Sequence, residues 1–286
     1  MTPKGTSSIY GVIGFPIKHS LSPVFQNRAL SHLGIDAVYI PFEVRPQVLK
    51  EFIEGARQIE NLLGLNVTIP HKEAVVELSD RVSEEVEKIG AANTLKFEGG
   101  TVEAFNTDWV GFLKSAESVT SLKGKRVLLL GAGGSSRAVL YALTKAKAEV
   151  YLWNRTPEKA HRLAREFQVE AIDSLEDALK GVDIVVNTTS VGLKENDPPL
   201  FDYSLITPEH TVIDIIYRET PLIRRAKELG CKYQTGFPML VYQGAESLRI
   251  WTGCEPPIKV MEMSLKEYGY PIEHSKTHRQ TLHQPS

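Results

Sequence analysis

The stretch Arg126-Val127-Leu128-Leu129-Leu130-Gly131-Ala132-Gly133-Gly134-Ser135-Ser136-Arg137-Ala138 constrains the fold more than any other part of the chain. Four consecutive apolar residues after one charge read as a strand buried on both faces of a parallel sheet. A glycine-rich turn follows at once, and a helical pattern runs from Ser135 to Ala146. Strand, sharp turn and helix in immediate succession open a doubly wound α/β domain. There, glycines let the backbone turn and approach a pyrophosphate, whose charge the helix N-terminus stabilises. Ser136 stands where G-x-G-x-x-G has its third glycine, and a serine is still small enough to pack a helix near a strand. The competing reading is a glycine turn in an α/β protein that binds nothing.

The pattern continues on both sides of this turn. Downstream come strand Val150 to Trp153, helix Pro157 to Phe167, short helix Leu175 to Lys180, and strands Ile184 to Thr188 and Val212 to Ile216. Upstream, strands Ile9 to Gly14, Ala37 to Val44 and Leu62 to Thr68 alternate with helices Pro23 to Leu33, Gln47 to Arg57 and Lys72 to Leu78. Asn93 to Phe97 and Thr101 to Phe105 flank the hairpin-like turn Glu98-Gly99-Gly100. Helix Trp109 to Val119 then runs into a polar stretch. The expected organisation is α/β with two domains: an N-terminal α/β substrate domain (1–120) and a Rossmann-type, doubly wound dinucleotide-binding domain (121–238). Helices Met239 to Trp251 and Pro257 to Tyr268 should pack back on the first domain (239–271), ahead of a flexible tail (272–286).

Composition excludes much else. With 286 residues, 42% hydrophobic and 24% charged, the chain is neither disordered, collagenous nor coiled coil. Its 33 basic and 35 acidic residues give a net charge of −2, no footprint for a polyanion. Nucleic acid and membrane are therefore not expected partners, and a monomer or homodimer in the cytosol is. Cys231 and Cys254, far from C-x-x-C spacing, fit reduced thiols. The N-terminal residues lack an apolar h-region, and no run approaches a membrane span. His274, His278 and His283 in the tail have no cysteine or carboxylate partners in ligand spacing, so no metal is expected.

Cofactor preference is decided after the second strand of such a domain, where an acidic residue holds a ribose 2′-hydroxyl and an arginine accommodates a 2′-phosphate. This chain has Asn154-Arg155-Thr156 there, with Lys159 nearby and no Asp or Glu to repel a phosphate. NADP(H) is expected over NAD, Arg155 pairing the phosphate and stacking on adenine; alone, Arg155 also reads as a solvated loop residue.

Four upstream segments end predicted strands with small polar groups: Gly14 to Pro23, Asn66 to Lys72, Ala91 to Thr94, and Asn106 to Asp108. Ser20 and Ser22 could cap a helix or grip a carboxylate. Lys72 and Asp108 could be a surface lysine and a helix cap. If they meet across a cleft they form an acid/base unit able to pass a proton while a hydride moves at the same carbon.

Taken together these segments resemble the shikimate dehydrogenase family, and the likeness extends through Asn187-Thr188-Thr189-Ser190-Val191-Gly192 and Met239-Leu240-Val241-Tyr242-Gln243-Gly244-Ala245. The resemblance implies reversible NADPH-dependent reduction of 3-dehydroshikimate to shikimate, on the way to aromatic amino acids. It assigns Lys72 and Asp108 as the catalytic pair, Ser20 and Ser22 to the substrate carboxylate, Thr68, Asn93 and Gln243 to ring hydroxyls, and Tyr217 to the carboxylate end. It assigns Gly131, Ala132, Gly133, Gly134, Ser135, Asn154, Arg155, Thr156, Lys159, Thr188, Gly236 and Met239 to the cofactor. Two departures stand out. Gln26 replaces a usual histidine, and the loop after Tyr217 (Arg218-Glu219-Thr220-Pro221) is about two residues shorter than the family pattern. An NAD-using quinate/shikimate dehydrogenase and a non-catalytic metabolite-binding paralogue are the alternatives; methylenetetrahydrofolate dehydrogenases share the two-domain design but lack the serine pair.

Overall fold

Short apolar runs alternating with helical patterns resolve into two six-stranded sheets in the computed structural model, which describes residues 2–194 and 196–270. The tail histidines lie outside the described residues.

The first sheet uses β1 (Ser8–Gly14), β2 (Ala37–Glu43), β3 (Leu62–Val67), β4 (Arg81–Val82), β5 (Thr94–Glu98) and β6 (Thr101–Phe105), in the order β2-β1-β3-β5-β6-β4. β1 pairs parallel with both β2 and β3, and β5 and β6 form the expected antiparallel hairpin. Helices α1 (Ser22–His32), α2 (Leu49–Ala56), α3 (Ala74–Glu77), α4 (Glu84–Ile89) and α5 (Asp108–Glu117) complete this half.

The second sheet is parallel throughout. Its strands are β7 (Arg126–Leu130), β8 (Glu149–Trp153), β9 (Glu170–Ala171), β10 (Ile184–Asn187), β11 (Thr211–Asp214) and β12 (Lys232–Gln234), in the order β12-β11-β10-β7-β8-β9. Two runs of strands growing outward from β7 make the Rossmann order, with its topological switch between β7 and β10. α6 (Gly134–Lys145), α7 (Pro157–Phe167), α8 (Leu175–Leu179) and α9 (Pro221–Glu228) cover it.

Two predicted elements differ. Gln47 to Arg57 begins as a 3₁₀ turn, Pro46–Val48, because Pro46 supplies a helical φ and no N–H. Lys72 to Leu78 shrinks to the single turn of α3, so Lys72 lies in the turn that leads into α3 rather than on a helix.

α10 (Gly236–Thr252) binds the two halves and α11 (Ile258–Glu267) follows it. Phe237, Leu240, Val241, Ala245, Leu248 and Trp251 of α10 share one buried cluster with Tyr10, Phe25 and Tyr39 of the first half. Met239, on the opposite face, enters the core of the second sheet with Val139 and Ile213. Trp251 stacks on Tyr10 at 5.0 Å and donates its indole N–H to Leu95 O at 3.0 Å. The ring fits only because residue 64 of β3 has no side chain: a Cβ there would lie 2.3 Å from Trp251 Nε1. Gly64→Ala should cost about 1–3 kcal/mol through overpacking, read as a lowered urea midpoint with unchanged slope.

Candidate active site

β1 and β3 are parallel neighbours, so the chain leaves both at the same sheet edge, where open α/β sheets bind ligands. The segments before α1 and after β3 therefore face each other, and Phe15 N–H donates to Ile69 O at 3.0 Å. Thr68 is half-buried at this edge. Neither serine caps α1. Leu21 holds the cap position without a side-chain bond, and Ser20 Oγ only accepts from Ser22 N–H at 3.4 Å. Ser22 is buried, and burial raises the Tyr39 phenol far above its ordinary value.

From Tyr39 a buried polar chain runs through the first half. Its hydroxyl donates to Asn66 Oδ1 at 2.8 Å, and Asn66 Nδ2 donates to Ser247 Oγ at 2.9 Å and to Thr94 Oγ1 at 3.1 Å. Ser247 Oγ also meets Thr94 Oγ1 at 2.8 Å and Thr107 Oγ1 at 3.1 Å. Thr107 N–H donates to Asn93 Oδ1 at 2.7 Å. Asn93 Nδ2 faces three acceptors: Thr107 Oγ1 at 2.9 Å, Asp108 Oδ1 at 3.0 Å and Gln243 Oε1 at 3.1 Å.

Lys72 and Asp108 do meet: Nζ donates to Oδ2 at 2.7 Å, with the two side chains only 12% and 7% exposed. Asp108 is not a cap; Thr107 precedes the helix and Asp108 is its first residue, its own N–H held by Asn106 Oδ1 at 3.0 Å. The carboxylate thus sits at the positive end of α5 with both oxygens engaged. Gln243 is brought in from α10, its Nε2 bonded to Leu240 O at 2.8 Å.

The second crevice opens at the switch between β7 and β10. Gly131 has φ of +115°, a conformation that disfavours any side chain, and a Cβ there would lie 2.7 Å from Thr188 Oγ1. Ser136 explains the missing third glycine. Its Oγ accepts from Gly133 N–H at 3.1 Å and meets Thr188 Oγ1 at 2.7 Å, and Thr188 donates to Leu130 O at 2.6 Å. Thr188, expected at the cofactor, therefore commits its hydroxyl to bracing the turn. Ala132, Gly133, Gly134 and Ser135 form the rim leading into α6.

Gly131 N–H donates to Trp153 O at 2.8 Å, which sets Asn154-Arg155-Thr156 beside the turn. Asn154 Nδ2 closes that loop onto Thr156 O at 2.9 Å. Arg155 and Lys159 are exposed and have no side-chain hydrogen bond or ion pair to any described residue. A side-chain-free turn, a helix N-terminus and a free guanidinium fit a dinucleotide carrying an extra phosphate.

Between the crevices, Gly236 N–H donates to Ile216 O at 3.0 Å. Tyr217, 40% exposed, packs its ring 6.2 Å from Phe237. Burial and then the Asp108 charge push its phenol up. Its loop is anchored by the fully buried Asp214. That carboxylate accepts from Thr220 Oγ1 at 2.8 Å, Asn187 Nδ2 at 3.1 Å and Ile216 N–H at 3.1 Å, yet burial raises it to about 6. Gln26, where the family usually has histidine, is fully buried; its Nε2 donates to Gly244 O at 2.8 Å, while its Oε1 has no hydrogen-bond partner among the described residues.

Sequence reasoning missed Tyr39 and Ser247. Ser247 lies four residues after Gln243, hence on the same helix face, a spacing that could have pointed to it; nothing local marks Tyr39.

A Rossmann sheet facing a desolvated lysine–aspartate pair across a cleft defines a dinucleotide-dependent oxidoreductase of two α/β units. Three family models match: the shikimate dehydrogenase substrate binding domain over residues 12–95, shikimate/quinate 5-dehydrogenase over 114–194, and the shikimate 5′-dehydrogenase C-terminal domain over 236–266. A shikimate dehydrogenase (NADP(+)) from Aquifex aeolicus is 52% identical over 262 residues, 91% of this chain and 97% of that protein. The crystal structure of shikimate dehydrogenase from Aquifex aeolicus superposes with a TM-score of 0.91 at 51% identity, covering 93% of this chain and 100% of that one. The Thermus thermophilus shikimate 5-dehydrogenase in complex with NADP(H) and shikimate gives 0.85 at 39% identity, over 91% of this chain and 99% of that one. The chain belongs to the shikimate dehydrogenase family.

Asp214 carries a pH signature. Its folded value near 6 lies above the ordinary 3.8, so the folded state binds its proton more tightly. The stability it contributes is full below pH 3.8 and is lost as pH rises through about 6. The melting temperature of wild type relative to Asp214→Asn should therefore fall between pH 4 and 7. A constant difference would contradict this.

Proposed function

We propose that the chain is a shikimate dehydrogenase that reversibly reduces 3-dehydroshikimate to shikimate with NADPH. The observation that carries the reading is the 2.7 Å Lys72–Asp108 pair beside the glycine turn; the named relatives support it.

In this reading Ser20 and Ser22 hold the substrate carboxylate, with Tyr217 beside it. Thr68, Asn93 and Gln243 bond ring hydroxyls, and the buried polar chain sets the positions of Asn93 and Gln243. The glycine turn from Gly131 to Ser135 with the α6 N-terminus holds the pyrophosphate, Arg155 the 2′-phosphate with Asn154, Thr156 and Lys159 around it, and Gly236 and Met239 border the nicotinamide. Thr188 serves by bracing the turn. When bound, the cofactor supplies a hydride to the C3 carbonyl carbon. The carbonyl oxygen then gains negative charge, which the Lys72 ammonium stabilises and to which it can deliver a proton. Asp108 orients that ammonium and accepts from the C4 hydroxyl.

The division of labour follows the two sheets: residues 1–120 for substrate, 121–238 for cofactor, and 239–271 returning to the first half. Work in the cytosol belongs to the same reading and is supported by two free thiols, Cys231 and Cys254; a monomer or homodimer is proposed with it.

The direct test follows absorbance at 340 nm with shikimate and NADP, then with quinate and with NAD. Shikimate with NADP should be fastest; no turnover, or preference for quinate with NAD, would overturn the reading. Lys72→Ala should lower kcat at least about 10²-fold with a smaller change in the KM for shikimate. Arg155→Ala should weaken NADPH selectively, and equal losses for NADH would refute the 2′-phosphate assignment.

A further inference from the structure

Lys72 has a second hydrogen-bond partner, and it comes from the other half of the molecule. Nζ donates to Ser135 Oγ at 3.2 Å as well as to Asp108 Oδ2 at 2.7 Å. Ser135 is the second residue of α6, on the rim of the glycine turn. The approach is close along the stem as well: a Cβ on Gly134 would lie 3.3 Å from Lys72 Cβ.

A lysine ammonium is a point charge on a flexible four-carbon stem. One acceptor fixes its distance but lets Nζ swing about that contact, whereas a second acceptor across the cleft removes the swing. Two of the three N–H groups are then committed, which leaves one for a reacting oxygen. The Ser135 oxygen accepts from Lys72, and its own O–H bonds no described residue, so it can donate to an acceptor on the turn. Donation polarises the hydroxyl and strengthens the bond it accepts.

Resting on the role given to Lys72 above, we infer that Ser135 is a positioning residue for Lys72, holding the ammonium in register with the dinucleotide turn across the cleft. The energetic logic is alignment: a displaced proton-bearing group loses rate steeply although substrate still binds.

Full-length Ser135→Ala, Ser135→Thr and Lys72→Ala test this. Ser135→Ala should lower kcat roughly tenfold, the order expected for losing one orienting hydrogen bond. The KM for shikimate should stay within about twofold, and any loss of NADP affinity, read by tryptophan fluorescence, should be smaller than the loss of kcat measured at saturating NADP. Ser135→Thr, which keeps the hydroxyl, should restore most of kcat. In the ligand-free protein the ¹H–¹⁵N signal of the Lys72 ammonium, identified by its loss in Lys72→Ala, should exchange faster with water in Ser135→Ala. Wild-type kcat and unchanged exchange in Ser135→Ala, with Lys72→Ala impaired, would overturn the Ser135 role alone. So would a loss confined to NADP affinity, or no rescue by threonine. Wild-type turnover in Lys72→Ala would instead overturn the reading beneath it.

Discussion

A lysine ammonium and an aspartate carboxylate withdrawn from water persist only if each is fully paired, because an unpartnered buried charge costs several kcal/mol. This requirement shapes the first half of the molecule. Asp108 meets it with Lys72 on one oxygen, Asn93 on the other and the α5 N-terminus behind. Asn93 in turn can offer its amide only because Thr107 fixes its carbonyl oxygen. The pair is thus one end of a chain of hydrogen bonds reaching back to Tyr39, and each link is buried where a missing partner would be costly.

That chain crosses secondary structure at every step, so the elements carrying it must be locked together. α10 does this. Gln243 and Ser247 enter the polar chain, while Leu248 and Trp251 lie in the apolar cluster beneath it. Met239, on the opposite face, is gripped by the core of the second sheet. One helix therefore joins the lysine–aspartate layer to the dinucleotide half, and the close fit of Trp251 over Gly64 contributes to the site indirectly, by fixing the helix that presents Gln243.

The parts of the fold legible in the sequence were those with local signatures. The β7 run, the glycine turn and α6 are contiguous, and the β5–β6 hairpin has its turn written between the strands. β4, β9 and β12 are two or three residues long and have no period to detect; they exist because a neighbouring edge offers hydrogen bonds. At the site, Lys72 and Asp108 were legible as residue types at strand and helix ends, but their meeting depends on β3 and β6 being brought near each other by β5, a tertiary fact. Ser20 and Ser22 carried an ambiguous signal, since hydroxyls before a helix serve caps and ligands equally well. Only the placement of Leu21 at the cap position separates the two. Tyr39 carried none, reading as one more apolar strand residue.

Ser136 shows why a departure from a motif is not always a defect. A glycine at that position would serve close packing of helix on strand and nothing more. The serine occupies the same space while its oxygen links the turn amide of Gly133 to Thr188, and through Thr188 to the end of β7. The turn thereby gains a side-chain brace on its buried side, and its other edge, at Ser135, is left to touch Lys72. Two adjacent serines thus face opposite ways, one stiffening the cofactor turn from within its own sheet and the other reaching across the cleft. The near-neutral charge of the chain is consistent with this arrangement. What an anionic ligand and a developing oxyanion require is a few cations held in place by neutral hydrogen-bonding groups, and a broadly basic surface would add attraction without orientation.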